Sequence, residues 1–218
     1  MQPNLALAIE DFLPVLLTFL ALLWLGQMIL SMHRSSGAVA AFGMVLIVAG
    51  RALKAVSKLI WALFGNPVAW MDDSLFVLMA PGFACFTWAL WSAQRSWFQK
   101  VSARCVWQVP VVVLLISGLG VTYATVSEGS RIWFFVTLTT VVIMSTLMSG
   151  LLVRQAWWMG RRGISLIFAV YLVSTLVLNG MARTTSETIS YEWLKQLVNT
   201  FAAGIFAFAA WQLMAETA

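Results

Sequence analysis

The sequence predicts an all-α, polytopic membrane protein: a bundle of seven transmembrane helices with the N-terminus outside and the C-terminus inside. Composition, apolar windows and the sorting of charges between connections all point to it. The chain has 218 residues, 61% of them hydrophobic and 10% charged. Soluble domains carry about 25% charged residues, so this balance suits a chain solvated mostly by lipid. Residues 1–218 are expected to form one transmembrane domain, because the connections are too short for a separate soluble unit.

Each window is long enough to cross a hydrocarbon core of about 30 Å at about 1.5 Å per residue. The predicted spans are Phe12–Met32, Ala38–Phe64, Ser74–Ala93, Val106–Thr125, Ile132–Val153, Ile164–Ala182 and Trp193–Met214. Glu10 and Asp11 precede the first, with no basic flank before it and no small-residue cleavage site after it, so it reads as a permanent span. The third contains Pro81-Gly82, read as a kink, and follows an Asn66-Pro67 turn. The fourth is the weakest, interrupted by Pro110 and by Ser117-Gly118-Leu119-Gly120. Membrane helices tolerate such breaks when neighbours satisfy the backbone. Ala202, Ala203, Gly204, Ala207 and Ala210 suit close helix contact in the seventh.

The connections divide by charge. One side carries His33, Arg34, Arg95, Lys100, Arg104, Arg154, Arg161 and Arg162; the other carries Arg131, Arg183 and Lys195 with most of the acids. Seven Lys/Arg against three orient the bundle by the positive-inside rule. Tryptophans near both ends of the spans suit interfacial anchoring. The expected location is a bacterial cytoplasmic (inner) membrane.

Cys85 and Cys105 read as small buried hydrophobes, and His33 is the sole histidine, so neither a disulfide framework nor a multi-histidine metal site is expected. No cofactor is specified. Basic residues are scattered among separate loops, which argues against nucleic-acid binding.

The informative anomaly is Arg51, Lys54 and Lys58, at i, i+3 and i+7 on one face of the second span. A cation near a bilayer centre costs at least a few kcal/mol and needs water, a counter-charge or an anionic ligand. Arg51 lies about 20 Å from Phe64 along the helix, too deep to reach either surface, whereas Lys58 can extend outwards. Other polar stripes face the same outer half, except that Tyr171 lies deeper. Tyr171, Thr175, Asn179 and Arg183 recur at i+4; Glu192, Lys195, Gln196 and Asn199 make a second face; Asp11 and Thr18 lie on the first span. The candidate ligand-binding residues are Asp11, Arg51, Lys54, Lys58, Asn179, Arg183, Glu192, Lys195, Gln196 and Asn199. Ser145, Thr146 and Ser149 have no histidine or acid at their depth, so no hydrolase constellation is read from them.

No acidic residue occurs at the depth of Arg51 and Lys54. The expected function is therefore a small transporter, channel or receptor-like binding protein with an outward-facing pocket for an anionic or carbonyl-rich ligand. Its partners are then the lipid bilayer, an anionic small molecule or lipid headgroup, and further copies or other subunits in an oligomer. One alternative is an intramembrane enzyme acting on a lipid or isoprenoid phosphate, with Glu192 or Asp11 as acid or base. The chain lacks the Asp and His clusters usual for metal–phosphate chemistry, so enzymatic activity is the less favoured reading. The other alternative is a structural or assembly subunit whose charges meet partner helices.

Overall fold

The computed structural model describes residues 4–66, 68–99, 107–126, 132–181 and 189–216. Among these the regular structure is entirely helical: α1 (Leu5–Glu10), α2 (Phe12–Met32), α3 (Arg34–Phe64), α4 (Ala69–Gln99), α5 (Gln108–Val126), α6 (Ile132–Trp158), α7 (Arg162–Met181) and α8 (Ile189–Ala215). Among the described residues, five helical stretches are long and apolar enough to cross a membrane: Leu5–Met32, Arg34–Phe64, Ala69–Trp97, Trp133–Trp158 and Ser190–Ala215. The apolar stretches of α5 and α7, Gln108–Leu119 and Arg162–Leu178, are shorter. Cys105, Lys100, Arg104, Glu128, Arg131, Arg183, Glu187 and Pro67 lie outside the described residues.

Local chemistry sets the helix boundaries. Asn4 caps α1 by accepting a hydrogen bond from the Ala6 amide at 3.2 Å. Asp11 interrupts the first apolar run, and Pro14 follows in the first turn of α2, where a missing N–H costs little. His33, extended at φ −158° and ψ 111°, separates α2 from α3, and its Nδ1 accepts from the Ser36 amide at 3.3 Å. Gly65 ends α3 in the left-handed region at φ 77°, a conformation that favours a residue without Cβ. α4 runs unbroken through Pro81 and extends beyond the expected span at both ends. Arg154 falls inside α6 rather than in a connection.

Helix contacts close into a ring in the order α2, α3, α4, α6, α7, α8 and back to α2. α5 stands outside this ring, packed on α4 and α6. α4, packed by α3, α6 and α5, is the most enclosed of the five long helices over its apolar stretch. The tightest seam joins α3 and α4 through glycines. A Cβ on Gly43 would lie 2.7 Å from the Gly82 carbonyl oxygen, and one on Gly50 would lie 2.9 Å from that of Leu75. Small residues let membrane helices approach this closely, trading side-chain bulk for backbone contact. On α8, Ala202, Ala203, Ala207 and Ala210 are buried as small-residue packing requires.

The outer surface is apolar. Leu16, Val45, Leu115, Ile116, Leu119, Phe135, Leu166, Val173 and Phe201 are all exposed. An apolar periphery this extensive needs a hydrophobic solvent or partner. The core, built on Leu22, Leu25, Met28, Ile47, Phe86, Leu90, Met148, Leu152 and Phe206, fills one end of the ring and leaves a cavity towards the other.

Candidate functional site

The cavity has a volume of about 310 Å³ and receives side chains from every helix of the ring. Among the described residues, α5 contributes none of the lining. From α3 come Arg51, Lys54, Ala55 and Lys58, placed on one face by their helical spacing. Asp11 enters from the break before α2, and Pro14 and Val15 from the first turn of α2; Tyr171, Thr175 and Leu178 come from α7, and Gln196 and Asn199 from α8. Leu75, Phe76, Met79 and Phe83 of α4, with Leu138, Val141, Val142 and Ser145 of α6, complete it.

The three cations have different partners. Lys58 pairs with Asp11, Nζ to Oδ2 at 2.6 Å, with both side chains partly buried. Arg51 donates from Nη1 to Thr18 Oγ1 of the neighbouring α2 at 2.8 Å. Lys54 is exposed, lines the cavity, and lies within electrostatic reach of Arg51, Lys58, Asp11 and Asp72. Among the described residues, no carboxylate forms an ion pair with Arg51 or Lys54. A hydroxyl satisfies one donor of a guanidinium but leaves its charge uncompensated.

Gln196 adds a second unsatisfied group. It is 7% exposed, lines the cavity, and its Nε2 has no hydrogen-bond partner. A buried amide donor left empty costs about 1–3 kcal/mol, so it is poised to gain from an acceptor placed in the cavity. Tyr171 is held by stacking on Phe206, with centroids 4.3 Å apart and planes at 16°. Glu10 lies beside this region: Thr200 donates to its Oε1, while its Oε2 is buried without a partner.

The sequence-derived candidates thus separate. Asp11, Arg51, Lys54, Lys58, Gln196 and Asn199 converge on one cavity. Glu192 and Lys195 pair with each other one turn apart on α8 and are not among the lining residues. Asn179 belongs to α7, one turn beyond Thr175, and Arg183 lies outside the described residues. Thr18, Tyr171 and Thr175 were legible as stripe members, yet nothing in the sequence ranked them with the cations. Ser145, set aside for want of a catalytic partner, lines the cavity as a lone hydroxyl. The apolar members from α4 and α6 carry no signal that separates them from ordinary core.

A distinct polar cluster ties α4 to α6. Gln94 Nε2 donates to the Leu151 carbonyl at 3.0 Å and to Gln155 Oε1 at 2.8 Å, and Arg154 Nη2 donates to Gln94 Oε1 at 2.7 Å. The Arg154 guanidinium lies 4.6 Å from the ring centroid of Trp158. Here an exposed cation has both a hydrogen-bond acceptor and an aromatic face. Comparisons with protein-family models, curated proteins and solved structures find no match for this chain.

Proposed function

We propose that the chain is an integral membrane protein of seven transmembrane helices, N-terminus outside, whose central cavity binds an anionic or carbonyl-rich ligand. In this reading it acts as a small transporter, channel or receptor-like binding protein of a bacterial inner membrane. The observation that carries the proposal is the pairing pattern around the cavity. Lys58 is neutralised by Asp11, whereas Arg51 and Lys54 keep a net charge of two beside the unsatisfied Gln196 amide. Charges desolvated in a bundle are costly unless paired or hydrated, and an anion in this cavity would supply the missing counter-charge.

Two features weigh against the alternatives. For an intramembrane enzyme, Asp11 and Glu192 are the candidate acids or bases, and both are engaged with lysines. For an assembly subunit, Arg51 would be expected to face the lipid side, but it lines the central cavity.

The direct test is reconstitution of wild-type and Arg51→Leu protein in vesicles, with uptake and equilibrium binding measured for labelled small anions. The proposal expects Arg51→Leu to insert and elute as a folded species while losing binding. Full retention of binding and uptake by that variant would make the deep cation structural.

A further inference from the structure

The cavity is two-faced, and the division follows the order of helices round the ring. α7, α8, the break before α2, and α3 are consecutive, and they supply its charged and amide groups, its phenol and the Thr175 hydroxyl. α4 and α6 are neighbours on the opposite side, and they supply Phe76, Met79, Phe83, Leu138, Val141 and Val142. Ser145 is the one polar side chain on that wall. An inorganic anion would answer the cations but leave the α4–α6 wall against water. A wholly apolar molecule would cover the wall but leave Arg51, Lys54 and Gln196 Nε2 unanswered. Each mismatch carries a free-energy cost, one in unrecovered apolar burial and one in desolvated charge.

Deepening the anion-binding reading, on which it rests, we propose that the occupant is a small amphipathic organic oxyanion. Its carboxylate or phosphate-monoester head sits on Arg51 and Lys54, with an oxygen accepting from Gln196 Nε2. Its compact apolar body, a ring or short branched chain, lies on the α4–α6 wall. The volume of about 310 Å³ falls at the lower end of the range for small-molecule sites, about 300–1,000 Å³. That space suits a ring-sized body and not the acyl chains of a membrane lipid.

Isothermal titration of the full-length protein in a neutral detergent tests this with acetate, phenylacetate, phenylacetamide, inorganic phosphate, phenyl phosphate and dihexanoyl phosphatidic acid. Phenylacetate should bind at least about tenfold more tightly than acetate, and phenyl phosphate than inorganic phosphate, as expected for apolar groups entering a matching wall. Leu138→Ala should weaken phenylacetate about tenfold and leave acetate unchanged. Arg51→Gln should abolish both; Lys54→Gln should weaken both and stands in where Arg51→Gln does not elute as a folded species. Equal binding of acetate and phenylacetate, lost in Arg51→Gln, would overturn the amphipathic assignment and leave the anion site standing. Binding of phenylacetamide as tight as phenylacetate would overturn the anionic head. Binding of phosphatidic acid alone would overturn the small-molecule occupant in favour of a lipid headgroup. No binding by any anion would overturn both this assignment and the anion-binding reading beneath it.

Discussion

The Arg51 guanidinium donates to the Thr18 hydroxyl across 2.8 Å, linking the middle of α3 to the first turns of α2. A neutral acceptor orients the cation without quenching it. Arg51 is thereby held in place without a carboxylate partner among the described residues, which is the arrangement that the proposed anion binding rests on.

Replacing Thr18 with Val keeps the shape and removes the acceptor. The expected loss is about 1–2 kcal/mol of stability, the scale of a hydrogen bond to a charged group inside a bundle. Reversible unfolding in mixed micelles measures it. Thr18→Ser should restore most of the loss, and a Thr18→Val protein as stable as wild type would show that the contact does no work.

Asp11 neutralises Lys58 and so sets the charge of the cavity. Asp11→Asn should raise the affinity for a small anionic probe and steepen its decline with added salt, because three uncompensated cations then face the cavity in place of two. Titrations at several ionic strengths read both effects. An unchanged salt slope would mean that Lys58 turns away once released.

Glycine positions predict opposite outcomes. Gly43→Val must push backbone atoms of α4 that sit 2.7 Å and 2.9 Å from its new Cβ, at a cost of about 1–3 kcal/mol or more. Gly118→Ala on α5 meets nothing within 4 Å and should be neutral or slightly stabilising, since Ala is the better helix former. Thermal unfolding of the two variants side by side decides between this seam and a general sensitivity to glycine replacement.

The glutamine pair of α4 and α6 suits a double-mutant cycle. Gln94→Leu strands the Gln155 Oε1 and withdraws the acceptor from Arg154, for an expected loss of about 2–3 kcal/mol. Gln94→Leu with Gln155→Leu should cost less than the sum of the single changes, because the two amides are then removed together. Strict additivity would refute the coupling.

The proposed orientation is open to labelling. With native cysteines replaced, a cysteine at the exposed Asp73 should react with an impermeant maleimide added to whole cells. One at the exposed Arg161 should react only after lysis. The reverse pattern would invert the bundle.

Much of this architecture is legible in the sequence because two periodicities are strong. Apolar length marks the helices, and i, i+3 and i+4 spacing puts Arg51 with Lys54 and Gln196 near Asn199 on their respective faces. Pairwise choices are less legible. Glu192 is spaced to face the cavity with Gln196, but Lys195 lies one turn away on the same helix and captures it locally. Asp11 could meet Lys54 or Lys58, and only the approach of the α1–α2 break to α3 selects Lys58. The position of α5 outside the ring follows from competition among apolar faces that resemble one another. Phe76, Phe83 and Val142 likewise look like core until the ring closes around them.

The α3–α4 seam also has a mechanical meaning. With Gly43 backed onto Gly82 and Gly50 onto the Leu75 carbonyl, backbone meets backbone at two places along the seam. Sliding α3 on α4 would drive backbone into backbone, so the two helices are expected to move together, with Arg51 and Lys54 kept beside the wall formed by Phe76, Met79 and Phe83. In the proposed transporter reading, opening is then expected at the other joints of the ring, with the gap between the cations and α4 keeping its width.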